Sequence, residues 1–406
     1  MRDCMSLPAE PTLNFDSLIT KITAAESWQY EPAELATCSD VRAATLTALS
    51  SPVDFPPIKA AILSGDEVAL AVDPNTPQVA EVTKAVVEYL KDCSTASLSV
   101  VIGDEARPST VDAIRAAVGD AAHTYLHDPS DRESLRYLGA DQLANPIYLN
   151  RMLVDADFIL PVTAGRWGDL DRPHDLYGIF PAFSDSASRY RFHQPSDSDE
   201  LTKADPHEPA WLLGVQIMLC VTSNSAGLAA HVIAGATESV RKQLRQYQQL
   251  AESASSAPLV IASLDGNDQQ QTWLNTARAA LAAANRVDAG GTIVLWTKLD
   301  EAASGSLMNL SDNGSSREPF TEMSTDGEFP AWDPSFVPAE MLRKVSHEHR
   351  ILLHSDLASD TIEGIGLGTI SSSEELSNLT RSFASCGVLR AAPFSGPTND
   401  LQFTSD

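Results

Sequence analysis

Apolar positions along the chain alternate between two patterns. Val68-Ala69-Leu70-Ala71-Val72, Leu98 to Ile102 and Phe158 to Val162 are unbroken apolar runs, whereas Val79, Val82, Val86 and Leu90 recur at three- and four-residue steps. The runs predict buried strands and the stepped positions predict amphipathic helices. Pro77 suits the first turn of the helix that follows Asp73. The unit then repeats. The strand Leu98 to Ile102 leads through Gly103 to Pro108 into a helix opened by Ser109, with Asp112 as its capping partner and Val111, Ile114 and Val118 on one face. A strand near Thr124 to His127 leads through Asp128-Pro129 into a predicted helix ending at Gly139, and Ile147 to Leu149 and Phe158 to Val162 continue the alternation. Strands alternating with helices predict an α/β fold with mostly parallel sheets.

Further along, Leu212 to Val221 and Ala229 to Ala234 flank a Ser-Asn-Ser-Ala-Gly turn and predict paired strands. A helix from Glu238 runs into Glu252 to Ala257, a Ser- and Ala-rich linker candidate. A second alternation follows. It comprises a strand Leu259 to Leu264, an Ala-rich helix from Gln270 to Arg286, a strand Thr292 to Thr297, a polar loop from Glu301 to Pro330, a helix Ala339 to Val345 and a strand Ile351 to His354. A helix capped by Ser372 and a last strand Val388 to Ala391 complete it. At 406 residues, two α/β domains with a cleft between them are expected, over 40–250 and 251–406, with 1–39 as an N-terminal appendage carrying a short helix near Phe15 to Ala24.

Charge narrows the partners. With 55 acidic against 28 basic residues the net charge is −27, which disfavours nucleic acid and anionic membrane surfaces. No segment approaches the roughly 18 consecutive apolar residues of a membrane span. The five cysteines are scattered and form no CxxC pair, so a reducing cytoplasm is the expected location.

Candidate chemistry concentrates after the strand at Phe158 to Val162. Asp169, Asp171, His174 and Asp175 cluster carboxylates and imidazole as an acid/base or hard-metal site would, and His193 closes an aromatic and basic run. The bland alternative is a solvated acidic loop in an acidic protein. Elsewhere Gly364-Ile-Gly-Leu-Gly368 lacks the spacing of a dinucleotide turn, His347-Glu348-His349 reads as exposed charge at a helix end, and His127 reads as structural. No GxSxG, P-loop or HExxH pattern occurs.

Three stretches carry a resemblance: ALSSPVDFPPIKAAILSGDEVALAVD, then HDPSDRESLRYLGADQLANPIYLNRMLVDADFILPVTAG with its following loop, then SLDGNDQQQTWLNTARAALAAANRVDAGGTIVLWTKLDE. Together they resemble the nickel-dependent lactate racemase family from about Ala43 onward. The resemblance implies a nickel pincer nucleotide tethered to a lysine, hydride exchange with the alpha carbon of a small anionic substrate, and paired histidines exchanging the hydroxyl proton. Carried over position by position, it implies cofactor contacts at Asp73, Arg107 and Tyr177, a nickel ligand at His193, and Asn275 and Arg278 at the substrate. Several positions depart from the family pattern. Thr76 stands where a substrate-positioning arginine belongs, Ala106 and Trp167 stand at the two proton-transfer histidines, and Tyr177 replaces the tethering lysine. His174 is the candidate replacement for a lost acid/base.

Three functions follow as expectations. The first is a divergent isomerase, a racemase or epimerase of a 2-hydroxy acid. The second is a degenerate homologue that binds a small anionic metabolite or nucleotide without turnover. The third is a metal-dependent enzyme of another type using Asp169, Asp171, His174 and His193.

Overall fold

The computed structural model describes residues 26–30, 37–141, 144–166, 178–193, 207–249, 256–310 and 329–395. In chain order the strands are β1 (Glu26–Tyr30), β2 (Glu67–Val72), β3 (Ser97–Ile102), β4 (His123–Leu126), β5 (Leu135–Ala140), β6 (Pro146–Asn150) and β7 (Phe158–Gly165). They continue with β8 (Ile217–Ser223), β9 (Ala229–Ala236), β10 (Ala257–Ser263), β11 (Val287–Trp296), β12 (Arg350–His354), β13 (Gly368–Thr369) and β14 (Ser385–Leu389). They build two six-stranded sheets and one two-stranded ribbon.

The first sheet has the order β4-β3-β2-β7-β8-β9, parallel except for β9. The chain moves outward from β2 through β3 to β4 and returns on the other side of β2 as β7. The strand order therefore reverses beside β2, and in open α/β sheets ligands bind in the crevice that such a reversal leaves at the carboxyl ends. The second sheet repeats this logic in the order β1-β14-β10-β11-β12-β13, every pair parallel, with its reversal between β10 and β14.

Both sheets are buried on both faces, as parallel sheets require. In β2, Val68, Leu70 and Val72 join one core with the helix Val79–Leu90, while Ala69 and Ala71 face a second with Leu149, Leu153 and Phe183. Leu70 is fully buried, and its truncation to alanine would cost about 2–5 kcal/mol. In the second half, Val260, Ala262 and Leu295 pack under the helix Trp273–Ala284, whose run of alanines lets it lie close to the sheet. Leu259, Ile261 and Val294 pack on the opposite face with Leu376. No helix among the described residues is long and apolar enough to cross a membrane.

Two readings of the sequence need correction. The stretch before Gly139 is not a helix: β5 pairs antiparallel with β6, and Tyr137 meets Tyr148 at 5.7 Å between ring centroids. The cross-strand pairing overrides the local helical pattern. Nor is the N-terminal region wholly an appendage. Residues 26–30 form an edge strand of the second sheet, beside β14, although most of the intervening chain builds the first. The short helix expected near Phe15 to Ala24 lies outside the described residues, as do the linker residues 252–255 and much of the 301–330 loop.

Candidate functional site in the cleft between the sheets

The carboxyl ends of β2 and β3 face the helices Trp273–Ala284 and Phe336–Glu348 of the second half across a cleft lined by both. Asp73 follows β2, Gly103-Asp104-Glu105 follow β3, and Arg166 follows β7, so the strand-order reversal delivers them to one rim. Gly103 fits because its backbone passes close to Pro74, whose ring carbon would lie 3.2 Å from an added Cβ.

Charge in the cleft is paired across elements. Arg166 donates to Asp73 Oδ2 at 2.8 Å, and the Asn75 amide donates to Oδ1 at 2.8 Å. Burial pushes the Asp73 carboxyl up, but Arg166, Arg278 and the Asn75 amide outweigh it and hold it below the ordinary 3.8. Arg189, from the helix Ser186–His193, grips Asp104 through both terminal nitrogens, at 2.8 and 2.7 Å. It also donates to Ala182 O, and its guanidinium sits 5.1 Å over the Trp332 ring.

A chain of amides joins the halves. Arg278 donates to Asn275 Oδ1 at 3.2 Å, Asn275 Nδ2 donates to Asn75 Oδ1 at 3.0 Å, and Asn75 Nδ2 donates to Glu105 Oε2 at 3.2 Å. Asn275 is fully buried and also donates to Gln270 O. Glu105 lines the cleft and is exposed there. The loss of water around it raises its carboxyl above the ordinary value, Asp104 and Asp73 reinforce the rise, and Arg278 and Arg189 oppose it.

Aromatic side chains from both halves meet beside this network. The Tyr190 ring lies 4.9 Å from Trp332 and 5.4 Å from Phe336, and its hydroxyl donates to Ala331 O at 3.1 Å while accepting from the Asp333 amide. His193, at the end of the same helix, packs 5.1 Å from Phe192 and 6.1 Å from Trp332.

Of the residues singled out in the sequence, Asp73, Arg278 and His193 line the cleft, and Asn275 holds Arg278 from behind. Arg107 points elsewhere. It donates to Asp268 O, Gln271 O and Asp300 Oδ1 of the second half and so acts as an interlobe clamp. Ala106 packs against the first core, and Thr76 is buried directly after the turn at Asp73. Trp167, Asp169, Asp171, His174, Asp175 and Tyr177 lie outside the described residues. Asp104, Glu105, Arg166, Arg189 and Trp332 were not singled out. For Asp104 and Glu105 a signal existed in their place after an apolar strand, but Arg189 finds its carboxylate 85 residues away and no local pattern announces it.

The donor set tests the cofactor that the resemblance implies. A lysine amine must form the tether, yet the sequence contains no lysine between Lys91 and Lys203, the span that supplies β3, β7 and the helix ending at His193. The described cleft lining contains none either. Among the described residues no three His, Cys, Asp or Glu side chains gather as a metal site would need. The residues present do not fit a lysine-tethered nickel nucleotide.

The fold and cleft define a class: paired, mostly parallel α/β sheets with a polar site at the strand ends between them. Residues 16–164 match the model of the lactate racemase N-terminal domain family. Over that stretch the chain is similar to the lactate racemase N-terminal domain. Its structure is similar to that of the lactate racemase apoprotein from Thermoanaerobacterium thermosaccharolyticum, with a TM-score of 0.68 at 13% identity, covering 89% of this chain and 94% of that one. A protein from Thermotoga maritima is also similar, with a TM-score of 0.55 at 10% identity, covering 83% and 93%. At these identities the likeness is one of fold. No curated protein matches the sequence.

Proposed function

We propose that this protein binds a small 2-hydroxy acid or related carboxylate in the cleft, without turnover through a lysine-tethered cofactor. The observation that carries the reading is the placement of Arg278. It reaches the cleft from the second half, oriented by the buried Asn275, and faces the polar rim of the first half. A guanidinium oriented from behind by an amide can hold a carboxylate with two parallel N–H bonds. Asp73 and Glu105, across the cleft, supply acceptors for a hydroxyl next to that carboxylate.

The missing lysine and the alanine at position 106 argue against the racemisation chemistry of the family. A second reading, an isomerase that retains nickel without the tether, is favoured by His193, which keeps the family's nickel-ligand position and lines the cleft. Calorimetry and thermal unfolding with a panel of 2-hydroxy acids test the first reading. We expect binding and a rise in melting temperature in the native chain, and loss of both in Arg278→Met. Stoichiometric nickel in protein made alongside the cofactor-synthesis genes, lost in His193→Ala, together with racemisation of a 2-hydroxy acid, would overturn it in favour of the second.

A further inference from the structure

The carboxylates and guanidinia of the cleft balance before any ligand enters. Among the described lining residues Asp73, Asp104 and Glu105 face Arg166, Arg189 and Arg278, three carboxylates against three guanidinia. Two of the carboxylates are neutralised by direct contact, Asp73 by Arg166 at 2.8 Å and Asp104 by Arg189 at 2.7 Å. Glu105 is held differently. Among the described residues no guanidinium bonds to it; its Oε2 accepts from Asn75 Nδ2, the far end of the amide chain that starts at Arg278. Glu105 and Arg278 are charge partners kept apart by two asparagines.

A carboxylate docked on Arg278 makes this set net negative by one. Asp73 and Asp104 keep their own arginines, so the added charge bears on the carboxylate whose countercharge has been claimed. Glu105 is exposed to solvent in the cleft and can take a proton without rearrangement. His193, on the helix Ser186–His193, is the rival proton acceptor in the lining. We propose that binding of a carboxylate at Arg278 takes up a proton at Glu105, so that anion and proton enter the cleft together. This rests on the carboxylate-binding reading above and adds its regulation by acidity.

The Glu105 carboxyl already lies above the ordinary 4.5, through loss of water and the like charges of Asp104 and Asp73, against the pull of Arg278 and Arg189. An anion on Arg278 raises it further. Linkage fixes the sign: affinity is greatest where Glu105 is protonated in the free protein and falls as pH rises from there to the higher value in the complex. Each unit between the two values is worth about tenfold in affinity.

Titration calorimetry on the full chain with glycolate, lactate and 2-hydroxybutyrate, at about pH 5 and about pH 8 in buffers of different ionisation enthalpy, tests it. An acid that binds should do so about tenfold or more tighter at the lower pH, with net proton uptake. Glu105→Gln, whose neutral amide still accepts from Asn75, should bind nearly as tightly at the higher pH as the native chain does at the lower, with no uptake. An affinity flat with pH, or uptake that survives in Glu105→Gln and so belongs to His193, overturns this proposal and leaves the carboxylate reading standing. No binding of any of the three acids at either pH by folded protein overturns both.

Discussion

Arg189 and Asp104 lie face to face, each terminal nitrogen of the guanidinium on one carboxylate oxygen, with 4% and 11% of their side chains exposed. The pair fixes the helix that carries Tyr190 and His193 to the carboxyl end of β3. Removing one member leaves the other charged and buried, which costs more than the pair itself contributes. Arg189→Met should therefore lower stability by about 3–5 kcal/mol, and Arg189→Met combined with Asp104→Leu should recover a large part of the loss. Urea unfolding of the three variants checks this. A double variant as unstable as the single one would mean that the bond to Ala182 and the stacking on Trp332 dominate.

Asp73 links acidity to stability. Its folded carboxyl titrates below the ordinary 3.8, so the folded state binds its proton less readily than the unfolded chain does. The contribution of its contact with Arg166 is complete above 3.8 and disappears as pH falls through the lower folded value. Asp73→Asn should be less stable than the native chain near neutrality, with the gap closing in acid. A gap constant with pH would show that shape, not charge, sets the contribution.

His127 should respond at milder pH. Its Nε2 is 3.0 Å from Ser184 O and its Nδ1 3.2 Å from the Asn150 amide nitrogen, contacts that suit the neutral ring. Burial, reinforced by the nearby Arg189, pushes its pKa from 6.5 down to about 4. The neutral ring's contribution is thus complete above 6.5 and is lost as pH falls from there to about 4, a change on the order of 3 kcal/mol. Ring-proton NMR should show a midpoint far below that of a free imidazole. Titration near the free value would contradict the assignment.

Gly227 marks where the halves touch backbone to backbone. Its φ is +74°, and a Cβ there would lie 2.6 Å from the carbonyl of Asp265 and the amide of Gly266. Gly227→Ala must both strain the turn and push the second half away, so a loss of at least about 1–3 kcal/mol is expected. Because Gln270 and Asn275 belong to the displaced side, weaker ligand binding should accompany it. Loss of stability with unchanged affinity would confine the effect to the turn.

The fold was legible where burial is two-sided. The runs at β2, β3, β7 and β10 are apolar because both faces are covered, and such runs need no tertiary knowledge to read. β6 was read at Ile147 to Leu149, but its partner β5 was not legible as a strand, because its pairing comes from cross-strand partners distant from the local pattern. In the site, Asp73, Asn275, Arg278 and His193 were named through the family resemblance. Arg107 was named the same way and proved to clamp the halves together. Asp104 and Arg189 escaped notice because each matters only through the other.

The placement of β1 has a mechanical consequence. The chain begins its described course as an outer strand of the second sheet, leaves to build the first, and then returns at β10. The first half is therefore an insertion moored at both ends, and two covalent crossings share its support. A body held by two ropes can swing about the line joining them but cannot spin freely about either. Any opening of the cleft is thereby channelled toward a door-like motion, and a fragment beginning at β10 would bare the flank of β14, an unpaired strand edge open to other chains.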